Sequence, residues 1–204
     1  LDPDAIAMLS IAAEKAEQDY AGLLVFNQGE HFCVGANLML VLMAAMSGEW
    51  EQIRSMVKAY QDATQRLKYA TVPVVAAPYG MTLGGGLELC FACDGVQAAA
   101  ETYSGLVEVG VGLIPGGAGT LNMLWRMLDG VPEGAQIVTQ ELVIQTFKNI
   151  AMAKIATSAE EAKQLGYFRK TDGVSFDRAR QLTEAKRRVL GLAHSGYHAP
   201  APRA

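Results

Sequence analysis

The chain has 204 residues, half of them apolar and 19% charged, with a formal net charge of −4. That length suits one domain with a sizeable core, and the apolar share excludes a disordered chain. The acidic balance argues against a general nucleic-acid binder, and no apolar run reaches the roughly 18 residues of a membrane span.

No secretory signal opens the sequence, and three cysteines make no disulfide framework, so a soluble, cytoplasmic protein is expected. Residues 4–19 set Ile6, Met8, Leu9, Ile11 and Ala12 among charges, which predicts an amphipathic helix. Residues 22–27 read as a short buried strand, followed by a turn at 28–30 and a compact segment at 32–38. Ser47 is expected to cap a helix in which Trp50, Ile53, Met56, Val57, Tyr60, Thr64 and Leu67 recur at helical spacing. Residues 72–77 form a second strand, with Pro73 at its start where a missing N–H is tolerated.

That strand runs into the glycine-rich segment GMTLGGGLELCFACD, from Gly80 to Asp94, and a helix is expected to begin near Gly86. The first turn of a helix leaves N–H groups free for a ligand. Cys90 and Cys93 form a C-x-x-C within this apolar helix. No second cysteine pair or histidine cluster accompanies them, so core packing is expected rather than redox or metal chemistry. Residues 96–100 make a third, weaker strand. The second half reads as mostly helical: one helix over 137–155, one opened by the capping box of Ser158 and Glu161 and ended at Gly166, and a charged helix over 176–192. Residues 198–203 read as a tail. Alternating strands and helices imply an α/β fold, with no internal repeat and no second domain visible.

A second glycine-rich segment, EVGVGLIPGGAGT, runs from Glu108 to Thr120. Each segment thus contains a glutamate, Glu88 or Glu108. Glycines let backbone N–H groups approach a developing negative charge, and two carboxyl groups beside them can move protons. No Lys or Arg occurs between Lys68 and Arg126, so no sequence neighbour holds these carboxylates ionised.

With the FCVGANL stretch from Phe32 to Leu38, the ordered motifs resemble the crotonase superfamily, whose best-known member is enoyl-CoA hydratase. The resemblance implies the crotonase (ClpP/crotonase) fold, a β-β-α spiral core with a C-terminal helical region. It assigns the oxyanion hole for an acyl-CoA thioester to the N–H groups of Ala36 and Gly85. It makes Glu88 and Glu108 the catalytic pair that positions water on C3 and exchanges a proton with C2. Gly35, Asn37, Leu38, Gly84, Gly86, Pro115 and Gly116 are implied in substrate binding, with no metal. Retention of both glutamates favours hydration. Alternatives are Δ3-Δ2 isomerisation, whose members commonly lack one carboxylate, or a non-catalytic acyl-CoA-binding or assembly domain.

Asn37 stands where the family usually has Asp, and Leu87 where a residue is often Cys or small. The resemblance also implies an N-terminally incomplete single domain over 1–204: core 1–130, helical part 131–193 and tail 194–204. The stretches at 103–117 and 151–168 are similar to bacterial fused β-oxidation proteins, in which an NAD-dependent 3-hydroxyacyl-CoA dehydrogenase comes first. These residues themselves carry no dinucleotide fingerprint, because Pro115 takes the third glycine's place after Gly110 and Gly112. No bound cofactor is therefore expected, only the acyl-CoA substrate, and the family implies a homo-oligomer, a trimer or a pair of trimers. The basic residues Arg169, Lys170, Arg178, Arg180, Lys186, Arg187 and Arg188 read as a solvated helix face rather than a grip on CoA phosphates. A serine peptidase, which the same fold also hosts, is disfavoured: His31, His194 and His198 are the only histidines, two of them in the tail, and no G-x-S-x-G elbow exists.

Overall fold

A computed structural model describes residues 1–201 other than 130, 133, 136 and 137. Helix α1 (Pro3–Asp19) starts where the Asp2 side chain accepts the Ala5 N–H, and it buries Ile6, Leu9, Ala13 and Ala16. Helix α3 (Trp50–Lys68) packs alongside, burying Tyr60, Ala63, Thr64 and Leu67 on one face. Both follow the helical spacing of their apolar residues.

Four parallel strands form the main sheet in the order β1 (Leu23–Val25), β2 (Val74–Ala76), β4 (Gly95–Ala99) and β7 (Gly173–Ser175). Strand β2 shows why this sheet needs cover on both faces. Val74 and Ala76 enter the large core with α1, α3 and helix α4 (Gly85–Phe91), whereas Val75 and Ala77 pack on Ala185 and Val189 of helix α8 (Arg178–His194). A second sheet is built from β3 (Met81–Leu83), β5 (Tyr103–Gly105) and β6 (Ile155–Ala156), the first pair parallel and the second antiparallel. Strands and helices together form the crotonase fold expected from the sequence.

Several expectations need correction. Ser47 does not cap α3. It ends an unforeseen helix, α2 (Leu38–Met46), and α3 starts after Glu49 with no side-chain cap. Helix α5 (Gly119–Leu128) was also not foreseen. The helix expected over 137–155 is α6 (Thr139–Ala151), with residue 137 outside the described residues. It stops because the backbone turns at Ala153, whose φ of 46° is left-handed, and β6 follows at once. The part expected to be helical, 131–193, therefore supplies β6 and β7 as well as helices α6, α7 (Ala159–Gln164) and α8. Ser158 caps α7 by accepting the Glu161 N–H, but the Glu161 carboxylate turns back to the Thr157 N–H and hydroxyl. In the expected tail, Tyr197 donates its hydroxyl to Asp94, and residues 202–204 lie outside the described residues. Cys90 and Cys93 are free thiols packed in the core. Among the described residues, no helix is long and apolar enough to cross a membrane, and no acidic, histidine or cysteine group could hold a metal.

Candidate active site

The first glycine segment leaves β3, turns at Gly84 and enters α4. Gly84 has φ of 54°, a left-handed backbone that glycine adopts without a Cβ clash. The turn sets Gly85 as the first residue of α4, and the segment around Gly35 lies directly against it. A methyl group built on Gly35 would sit 3.4 Å from the Gly85 nitrogen. Within the described residues, neither the Ala36 nor the Gly85 N–H donates to the chain.

Both residues line a cavity of about 540 Å³ that also receives Glu88 and Glu108. Its walls are otherwise largely apolar, with Val41, Ile53, Met56, Val57, Val111, Leu113 and Ile114 among the lining residues. No lysine or arginine is among the lining residues.

Glu88, one turn into α4, is 3% exposed. Its Oε1 accepts the N–H groups of Gly117 and Gly119 at 2.8 and 2.7 Å, so the second glycine segment wraps the carboxyl of the first. Burial pushes the Glu88 carboxyl up to about 7, the neighbouring Glu108 adds to the rise, and the Gly119 and Gly117 N–H groups oppose it. Glu108 opens a 3-10 turn (Glu108–Val111), and burial raises its carboxyl too, against its own and the Val107 N–H. One Glu108 oxygen comes within 3.2 Å of where a Gly84 Cβ would be, and its Oε2 is buried with no hydrogen-bond partner among the described residues. A buried carboxyl with a free oxygen can take or give a proton.

Of the residues singled out from the sequence, Gly35, Ala36, Leu38, Gly84, Gly85, Glu88, Glu108, Pro115 and Gly116 share this cavity. Asn37 and Gly86 do not line it. The Asn37 side chain caps α2 by accepting the Met39 and Leu40 N–H groups. Gly86 faces the other way, where a Cβ would lie 2.2 Å from the Cys33 carbonyl oxygen. Its role is to let α4 pack on the 32–38 segment.

Residues 1–175 match the enoyl-CoA hydratase/isomerase family. The chain belongs to that family. Its superfamily is that of the crotonases, and hydratase/isomerase-type chemistry is the activity class this membership carries. Among solved structures, an enoyl-CoA hydratase from Bacillus anthracis is 26% identical with a TM-score of 0.74, over 95% of this chain and 67% of that one. The DspI protein of Pseudomonas aeruginosa is also 26% identical, with a TM-score of 0.75 over 95% of this chain and 66% of its own. A Bacillus subtilis (strain 168) protein named "Probable 3-hydroxyacyl-CoA dehydrogenase" is 41% identical over 201 residues, 97% of this chain but 24% of its own length. The fatty acid oxidation complex subunit alpha of Shewanella baltica (strain OS155) is 28% identical over 213 residues, 94% of this chain and 30% of its own. The chain thus spans about a quarter of the length of such curated relatives.

Within this crotonase-type site, sequence reasoning missed the contribution of α3. Tyr60 and Gln61 both line the cavity, and the Tyr60 hydroxyl donates to the Gly85 carbonyl. The Tyr60 ring stands between the glycine segments, 3.6 Å from a Cβ built on Gly85 and 2.4 Å from one built on Gly117. Burial raises the Tyr60 hydroxyl well above its usual range, with Glu88 adding to the rise, so it stays a neutral donor. In the sequence Tyr60 shows only as one member of the helix's buried stripe and Gln61 as a polar neighbour, and nothing there marks that either faces the glycines.

Proposed function

We propose that this chain adds water reversibly to a trans-2-enoyl-CoA, giving a 3-hydroxyacyl-CoA. The observation that carries the reading is two carboxyl groups, both displaced upward, in an apolar cavity beside two backbone N–H groups without an acceptor. The thioester carbonyl accepts the Ala36 and Gly85 N–H groups. Charge that develops on that oxygen during reaction is then stabilised, and one such donor is typically worth about 3–4 kcal/mol. A carboxylate of the pair takes a proton from water as its oxygen bonds to C3, and a carboxylic acid delivers a proton to C2. One ionised and one neutral member are needed, and burial, which raises both carboxyls and is reinforced at Glu88 by the charge of Glu108, favours keeping one of them neutral. The apolar walls suit an acyl chain. Gly35, Leu38, Gly84, Pro115 and Gly116 shape the contact with substrate.

The length of the curated relatives supports a second part of the proposal: the chain is the hydratase-like portion of a longer protein that also holds an NAD-dependent 3-hydroxyacyl-CoA dehydrogenase. An oligomer of the crotonase kind belongs to the same reading, and sedimentation analysis of the chain tests it.

Crotonyl-CoA hydration provides the test of mechanism. Glu88→Gln and Glu108→Gln should each lower kcat about 10²-fold or more, with KM changed far less. The double variant should be scarcely worse than the poorer single one, since the two act as a unit. Near wild-type turnover in either variant removes that residue from the mechanism. A wild-type chain that only moves a double bond between the Δ3 and Δ2 positions replaces hydration with isomerisation.

A further inference from the structure

The cavity's second glycine segment is itself held from outside. Gln61, on α3, donates its Nε2 to the Gly116 carbonyl at 2.7 Å. The Gly116 carbonyl and the Gly117 N–H belong to one peptide group. That N–H in turn donates to Glu88 Oε1 at 2.8 Å. A planar peptide bond makes these two hydrogen bonds move together, because neither end can rotate without the other.

The geometry points to Gln61 as a positioning residue that acts on Glu88 through the Gly116–Gly117 peptide. This inference rests on the reading of Glu88 as one of the two proton-handling carboxyl groups. Two effects follow from the linkage. Gln61 fixes the direction of the Gly117 N–H, and by bonding the carbonyl it polarises the peptide, which makes that N–H a stronger donor. Its neighbour Tyr60 sets the spacing, its ring wedged between Gly85 and Gly117 and its hydroxyl on the Gly85 carbonyl. Two adjacent residues of one helix therefore hold both glycine segments, the first through Gly85 and the second through Gly116. Within the cavity Glu88 faces the Glu108 carboxyl and the neutral Tyr60; the Leu1 amino group, also in the lining, donates to the Gly35 carbonyl at 2.6 Å, and no lysine or arginine is among the lining residues. The backbone N–H groups are thus the principal influence favouring its ionised form.

The decisive variant is Gln61→Met, which keeps the side chain's length and removes its donor. The Glu88 carboxyl titration is followed by infrared difference spectroscopy, with Glu88→Gln identifying the band. Loss of the donor weakens a bond to the charged form, so the midpoint should move upward by about half a pH unit. For crotonyl-CoA, kcat should fall about fivefold with KM nearly unchanged, and the limb of the pH–rate profile that reports Glu88 should move alkaline. Gln61→Asn, polar but too short to reach Gly116, should shift the carboxyl band in the same direction, which keeps the test available if the Met variant folds poorly. An unmoved midpoint in both variants overturns the inference. A shifted midpoint in a chain that never hydrates crotonyl-CoA leaves the linkage standing and removes the hydratase reading instead.

Discussion

Glu88 is held in a site that favours its neutral form, and this has a consequence for folding as well as for chemistry. Its carboxyl lies at about 7 in the fold against 4.5 when exposed, mainly through burial. The folded state therefore binds more protons than the unfolded one between these values, and stability falls as pH rises through that window. Below it the neutral carboxyl carries no such penalty. Glu88→Gln removes the titration while keeping an oxygen for the Gly117 and Gly119 N–H groups. Wild type and variant should show their smallest difference below pH 4.5. At alkaline pH the variant should gain up to about 3 kcal/mol relative to wild type. Urea titrations at several pH values measure this. A constant gap across the range would mean that the carboxyl titrates as it does in water. The same residue shows what the sequence made legible. Glu88 and Glu108 could be paired from their glycine-rich surroundings, but the Gly117 and Gly119 clamp could not, because the donors are backbone groups that any residue carries.

Elements were legible in proportion to their periodicity. The helices α1 and α3 bury residues at regular helical spacing, and β2 is a short apolar run with proline before it. Helix α2 reads LMLVLMAAM, apolar on every side, so no face could be told from another. Strands β3, β5, β6 and β7 have two or three residues each, too few to show alternation. The stop of α6 falls at Ala153, without the glycine that usually marks a left-handed turn. The α1–α3 pair is also tied by charge. Glu17 accepts both terminal nitrogens of Arg66 and the Thr71 N–H. The Arg66 hydrogen bond is the largest influence on Glu17, burial opposes it, and together with Thr71 it holds the carboxyl down to about 2. A lowered carboxyl stabilises the fold above its unfolded value of 4.5, and the gain is lost as pH falls through about 2. Solvent screens this partly exposed pair, so Glu17→Gln should cost about 1 kcal/mol at neutral pH. The deficit should vanish as pH falls toward 2. Equal loss at neutral and acid pH would assign the effect to packing instead.

At the scale of the whole molecule, the C-terminal part is woven into the core rather than appended to it. Strand β7 forms one edge of the main sheet, and α8 covers the face opposite the large core. Gln181 of α8, fully buried, joins distant parts of the chain. It donates to the Pro78 carbonyl at 2.7 Å and to the Gln97 carbonyl at 2.8 Å. Pro78 lies between β2 and the glycine segment, and Gln97 lies in β4, so one amide ties the helix to both sheets' approaches. Gln181→Leu keeps the volume but leaves both carbonyls without that donor. The Pro78 carbonyl keeps the Ala99 N–H and the Thr102 hydroxyl, and leucine also removes the Gln181 Oε1, buried without a partner among the described residues, so the net cost is about 1 kcal/mol. For a chain of this size, the melting temperature should fall by about 2–4 °C. Because α8 contributes nothing to the cavity lining, the proposed hydration should keep kcat and KM within about twofold of wild type in the folded variant. Calorimetry should show a single transition in both proteins, since β7 is paired into the main sheet with Val174 against the large core, and α8 packs on the other face of the same sheet. An early, separate melting step in the variant would show instead that β7 and α8 unfold apart from the rest.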